Sequence, residues 1–151
     1  MKIAIASDHK GYHLKVTLIT YLKKKGFEII DLGTDSVLST DYPKYAFLLG
    51  ESISKKEADY GIVICGTGIG VSIACNKVKG IRCAKVDNIK EAELTRLHND
   101  ANVLALNGGM MSFKAKDIID VFFKTNFSNE ERHVKRLKMI EDYEESGKYE
   151  Y

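Results

Sequence analysis

Tryptophan is absent from this chain and proline occurs once, at Pro43. No linker, internal repeat or low-complexity segment divides the 151 residues, so the reading is a single domain over 1–151. Cysteine is scarce too: Cys65, Cys75 and Cys83 are an odd number, spaced ten and eight apart. They form no zinc-ligand pattern and suit a reducing cytoplasm. No apolar run approaches the length that crosses a bilayer. Met1-Lys2 leads into Ile3-Ala4-Ile5-Ala6 and at once into Asp8-His9-Lys10, which is not the layout of a secretory signal. The expectation is a cytoplasmic protein without a membrane partner.

Charge of one sign does not dominate either. Lys plus Arg number 23 against 21 Asp plus Glu, a net of +2, which argues against a nucleic-acid or membrane-coating surface. The imbalance is local. Residues 141–151 hold Glu141, Asp142, Glu144, Glu145 and Glu150 against one Lys, leaving 22 basic and 16 acidic side chains in residues 1–140. A mildly basic body suits a small anionic ligand, and a solvated surface accounts for the same excess.

What is present is alternation. Short β-rich runs at 3–7, 28–32, 60–64, 81–86 and 103–106 are separated by helical stretches, and several are almost continuously apolar. That is the pattern of a parallel sheet covered on both faces. Over 11–25, Leu14, Leu18 and Leu22 share a stripe with Ile19 beside it; Lys23-Lys24-Lys25 fills the last turn and Gly26 supplies the stop. Pro43 opens the next helix, which buries Tyr45, Leu49 and Ile53. A short helix is expected over 71–77 and another over 89–98, capped by Asn88 with Glu91 three residues on. Ser112 opens a helix burying Ile118, Ile119, Phe122 and Phe123. Ser128 and Glu131 form an S-x-x-E capping box for a final helix near 129–145. The fold class is therefore α/β: a doubly wound three-layer sandwich on a five-stranded parallel sheet, with order 2-1-3-4-5 expected by analogy with such folds. That order puts the ligand-binding switch point between strands 1 and 3.

Cys65-Gly66-Thr67-Gly68-Ile69-Gly70 follows the third apolar strand. It is not a dinucleotide fingerprint, because position 71 is Val71 and the loop does not follow strand 1; nor is it a Walker-type phosphate loop. What remains is a run of small residues whose backbone N–H groups can converge on an oxyanion or phosphate. Cys65 stands beside it, where amides favour a thiolate. A thiolate next to an oxyanion cradle equips covalent acyl chemistry or removal of a proton adjacent to a carbonyl. A buried cysteine ending a strand, with glycines serving only the turn, fits the same residues. Cys75 and Cys83 read as packing residues.

Asp8-His9 follows strand 1 at the edge of the glycine loop, whereas His13 reads as a surface residue. His98 closes the fourth helix, just before Asn99-Asp100. An imidazole there could open a cyclic sugar, taking the proton of the anomeric hydroxyl and delivering one to the ring oxygen, with Asp8 as its prospective partner. A helix-capping histidine is the bland alternative. Arg132 and Arg136, flanking His133 on the last helix, are one turn apart, a spacing suited to a phosphate and equally to a solvated face. Because that helix follows strand 5, a dimer could carry the arginines to a neighbour's pocket.

Together these segments resemble the ribose-5-phosphate isomerase B family with the related galactose-6-phosphate isomerases. The resemblance is carried by IAIASDHKG at 3–11, TDYP at 40–43, ICGTGIGVSIACNKVKGIR at 64–82, RLHNDANVLAL at 96–106 and ERHVKR at 131–136. It runs in order to about residue 140 and leaves only the acidic tail outside. The resemblance implies interconversion of aldose and ketose phosphates without a metal or organic cofactor, in dimers, sometimes paired into tetramers, whose pockets are shared between subunits. It implies Cys65 as the base, Thr67 as its positioner or the substrate's, and the amides of Gly66, Gly68, Ile69 and Gly70 around the enediolate oxygen. His98 resembles the ring-opening residue, assisted by Asp8, and Asn99 a contact to sugar oxygens. Arg132 and Arg136 resemble phosphate ligands reaching across the dimer, with His9 on the opposing wall and Tyr42 lining the pocket.

In the two-subunit galactose-6-phosphate isomerases, the resemblance implies, the cysteine and histidine are divided between different chains. Here both are present, so a homo-oligomer acting on ribose 5-phosphate is the better match. Many relatives carry an arginine aligned with Gly109, in the stretch Asn107-Gly108-Gly109 here. Its loss leaves isomerisation of a hexose phosphate (allose 6-phosphate or galactose 6-phosphate) as the nearest alternative. A non-catalytic sugar-phosphate-binding module is the alternative from another class.

Overall fold

The computed structural model describes residues 1–149; Glu150, one of the tail acids, lies outside the described residues. The elements alternate as the sequence predicts: β1 Lys2–Ser7, α1 Tyr12–Lys24, β2 Glu28–Asp31, α2 Tyr42–Ser54, β3 Tyr60–Cys65, α3 Ile69–Cys75, β4 Cys83–Lys85, α4 Ile89–Asn99, β5 Val103–Asn107, α5 Ser112–Lys124 and α6 Glu131–Ser146. All strand pairs are parallel, and β1 lies between β2 and β3, so the switch point falls where it is expected.

The order of the last two strands differs. The sheet runs β2-β1-β3-β5-β4, with β5 beside β3 and β4 at the edge. The position next to β3 is covered on both faces and takes the strand whose residues Val103, Leu104, Ala105 and Leu106 are all fully buried. β4 is only three residues long and carries Lys85, with Arg82 just before it. Short, charged strands suit a sheet edge.

Side chains alternate between two cores. Ile3, Ile5, Ile62, Ile64, Leu104 and Leu106 meet Leu14, Leu18 and Leu22 of α1 and Ile118, Ile119 and Phe122 of α5. Ala4, Ala6, Val63, Cys65 and Ala105 face the other way, against Tyr45, Ala46 and Leu49 of α2 and Val71, Ala74 and Cys75 of α3. Phe123 is only partly buried at the margin of the first core.

Local ends show which tertiary contacts override local rules. Asn88 Oδ1 accepts from the Glu91 amide at 2.9 Å, as the cap pattern requires. The Ser128–Glu131 capping box does not form: α6 starts one residue after Glu130, and Ser128 Oγ is engaged by His133 Nδ1 at 2.7 Å and the Glu130 amide at 3.2 Å. α3 begins at Ile69, two residues before its expected start, because Gly68 turns the chain with φ +78°. No helix among the described residues is long and apolar enough to cross a membrane.

Candidate active site

Three loops converge at the C-terminal edge of the sheet. After β1, the Asp8 carboxylate accepts from the amides of Lys10 (2.9 Å) and Gly11 (3.1 Å), which tightens the turn that presents His9. His9 Nδ1 accepts from the Thr40 amide at 3.2 Å, so in the neutral ring Nε2 carries the proton. After β3, the Cys65 carbonyl accepts from Gly108 N at 2.8 Å, tying this loop to the one after β5. The Cys65 thiol is free and only 4% exposed, at the end of the alanine-lined core.

The glycine loop folds back over that sulfur. Gly68 N–H donates to Cys65 Sγ at 3.2 Å. Ile69 N–H donates to Thr67 Oγ1 at 3.1 Å, so the Thr67 hydroxyl orders the loop itself. The Gly70 and Val71 amides, in the unpaired first turn of α3, have no acceptor among the described residues. Tyr42 closes the side: a Cβ at Gly70 would sit 2.7 Å from its ring, so only glycine lets the ring lie there. Asp8, His9, Tyr42, Cys65, Gly66, Thr67, Gly68, Ile69 and Gly70 thus gather at one edge. Lys10 belongs with them, since its side-chain stem lies 3.1 Å from where a Gly66 Cβ would be. Its position directly after His9 is the signal for it in the sequence.

The other expected residues lie at the opposite edge. The helix that carries His98 and Asn99 runs back toward the strand beginnings: Arg96 donates to Tyr60 Oη at 3.2 Å and to the Ala101 carbonyl at 2.7 Å, and Gly61 N donates to Asn102 O at 2.9 Å. From Tyr60 to Cys65 is five strand steps, about 16 Å. Within one chain, therefore, Asp8 is not a partner of His98, and its carboxylate already serves its own turn. Near His98 lies His133 instead, with ring centroids 4.4 Å apart and planes inclined by 37°. Arg132 and Arg136 are exposed on the same helix as His133; Arg132 Nε donates to Glu130 Oε2 at 2.9 Å.

His133 is 3% exposed, and burial first, then the neighbouring His98 and Arg132, holds its pKa below the ordinary imidazole value. Cys83 is pushed well above the usual thiol range by the adjacent Cys75 thiol and by burial, as befits a packing residue. No group of three His, Cys, Asp or Glu among the described residues is placed to hold a metal ion.

A buried sulfur facing a loop amide at one edge, and an imidazole with two arginines at the other, are parts for proton transfer on an anionic substrate. The Ribose/Galactose Isomerase family model matches residues 3–140. The chain belongs to the ribose/galactose isomerase family. Both edge clusters lie inside the matched stretch, and the acidic tail from Glu141 lies beyond it. The ribose-5-phosphate isomerase B of Escherichia coli is 41% identical over 140 residues, 92% of this chain and 93% of that protein. Among solved structures, ribose-5-phosphate isomerase B of Clostridium thermocellum superposes with a TM-score of 0.94 at 46% identity, covering 98% of this chain and 100% of that one. The Mycoplasma genitalium ribose-5-phosphate isomerase B with bound ribulose 5-phosphate gives 0.92 at 42% identity, covering 96% and 97%.

Proposed function

We propose that this chain is an aldose–ketose isomerase interconverting ribose 5-phosphate and ribulose 5-phosphate through a cis-enediolate. The observation that carries the reading is the Cys65 sulfur held under a loop whose Gly68 amide is aimed at it. As the thiolate, Cys65 removes the proton from C2 of the open-chain aldose and charge moves onto the carbonyl oxygen O1; the hydroxyl proton passes from O2 to O1, and the thiol returns the carbon proton to C1 as the C2 carbonyl forms. Amide donors at the loop, with Gly70 and Val71 still free to donate, hold the enediolate oxygen where its charge develops. Removing such a donor costs about 3–4 kcal/mol in transition-state stability.

Ring opening and phosphate binding fall to the other edge, so a working pocket takes one edge from each of two copies. His98 removes the anomeric hydroxyl proton and protonates the ring oxygen; Asn99 contacts sugar oxygens; Arg132 and Arg136, one turn apart, clamp the phosphate. His9 and Tyr42 wall the far side, and Asp8 acts by holding the loop that carries His9. Ile69 and Ile73, one turn apart beside the glycine loop, are 54% and 59% exposed, an apolar stripe suited to a second copy. The homodimer, alone or paired into a tetramer, is thus part of the proposal, with a phosphorylated sugar as its substrate.

A hexose phosphate is the second reading, favoured by the exposed position of Gly109, which places no side chain there. Measuring kcat/KM side by side for ribose 5-phosphate, allose 6-phosphate and galactose 6-phosphate tests the choice. Higher efficiency on a hexose phosphate replaces the first reading with the second. Unchanged turnover in Cys65→Ala removes the base assignment, and absence of turnover on all three sugars leaves the binding module.

A further inference from the structure

The last turn of α4 and the first turn of α6 close a ring of contacts that the chemistry above does not use. Ser128 N donates to the Leu97 carbonyl at 3.0 Å, one residue before His98. Ser128 Oγ bonds His133 Nδ1 at 2.7 Å. The His133 ring lies against the His98 ring, 4.4 Å between centroids, which returns the path to the helix where it began. Phe127 adds an aromatic neighbour to His133 at 6.5 Å.

We propose that His133 is a positioning residue for His98: pinned by Ser128, it fixes the plane of the His98 imidazole and locks that ring in register with the phosphate-binding arginines on its own helix. A half-buried imidazole at a helix end has χ1 and χ2 free to turn unless something packs against its face. His133 supplies that face, and it is buried while Arg132 and Arg136 beside it are exposed. Its lowered pKa keeps it uncharged at neutral pH, so it supports the His98 ring without competing for the proton in transit. The distance from the acid–base group to the phosphate clamp is then set by one rigid unit. Such a unit orients a sugar between its anomeric end and its phosphate.

The inference rests on His98 opening the ring, and the experiment separates the two claims. Ribulose 5-phosphate has no free hydroxyl placed to close a ring on its carbonyl, so exchange of its C1 proton in D2O needs Cys65 and not ring opening. Isomerisation starting from cyclic ribose 5-phosphate needs both. His133→Phe keeps an aromatic face without Nδ1, His133→Asn keeps a polar atom near the Nδ1 position without the face, and Ser128→Ala removes only the pin. Expected are C1 exchange near wild type in all three and kcat from ribose 5-phosphate reduced about tenfold in His133→Asn and several-fold in Ser128→Ala. His133→Phe should retain more activity than His133→Asn. Equal losses in exchange and isomerisation, or no loss in Ser128→Ala and His133→Asn with unchanged melting temperatures, overturn the positioning role. His98→Asn is the control: if it slows exchange as much as isomerisation, ring opening by His98 falls, and the inference with it. If His98→Asn is selective while the His133 and Ser128 variants are silent, only the inference falls. Should His133 variants fail to fold, Ser128→Ala decides alone.

Discussion

Placing Cys65→Ala in one copy and His98→Asn in another separates a pocket built within a chain from one built between chains. The five strand steps from Tyr60 to Cys65, about 16 Å, separate Cys65 from the strand end to which the helix carrying His98 returns. In the proposed mechanism both groups come within about 3 Å of atoms at one end of the same sugar, which that separation forbids in a single chain. In a two-fold dimer the mixed species therefore has one pocket with both lesions and one with neither. Random assembly of equal amounts makes half the dimers mixed, so about one quarter of wild-type activity returns from two crippled variants. Co-expression with two different affinity tags isolates the mixed dimer, which should show about half the wild-type kcat at unchanged KM. Ketose formation from ribose 5-phosphate, followed continuously, is the assay. A doubly purified mixed dimer no more active than the sum of its parents refutes the two-edge pocket.

Three further outcomes follow from the geometry. Gly70→Ala drives a methyl group into the Tyr42 ring, 2.7 Å from Cζ, and should raise KM several-fold; adding Tyr42→Ala should relieve the clash, and a double mutant no better than the single one contradicts this wall of the pocket. Because the folded state holds the His133 pKa below 6.5, the unfolded chain binds more protons as pH falls through that value, so stability should decline from about pH 7 toward pH 5. Thermal melts of His133→Phe should show a smaller decline, and an identical slope would place the titration elsewhere. Lys15 is 1% exposed in α1 with Nζ 2.5 Å from Asp31 Oδ1; Lys15→Ala should cost about 1–3 kcal/mol in urea denaturation and Lys15→Met less, since Asp31 keeps contact with water and the stem's packing is restored. Equal stability of both variants to wild type would show the pair to be idle.

Alternation in the sequence was enough for the layers, and the run of small residues after β3 for the glycine loop over Cys65, because each depends on near neighbours in the chain; the switch point between β1 and β3 came by analogy with such folds. The same alternation contains the edge on which His98 falls: a helix after a parallel strand runs back, so its last turn lies at the strand beginnings. Strand order past β3 is different, since β4 and β5 are both apolar enough to pair and only their relative burial, with Arg82 and Lys85 half out, decides which is central. Ser128 shows a second limit. Its spacing to Glu131 satisfies a cap motif, yet a histidine brought in by the next helical turn takes the hydroxyl. Lys15 sits on a buried face despite its charge because a carboxylate at the end of β2 waits for it, a partner 16 residues away that no local pattern signals.

The two faces of the sheet are unequally furnished. On the side of α2 and α3 the strands offer Ala4, Ala6 and Ala105 among Val63, Cys65 and Val103, where the opposite side offers mainly Ile and Leu. On that side the start of α2 with Tyr42 and the start of α3 with Gly70 come into touch. A bulkier residue at any of those three alanines would act as a shim beneath both helices. The Tyr42–Gly70 contact should therefore respond to changes beneath it as well as to changes at it.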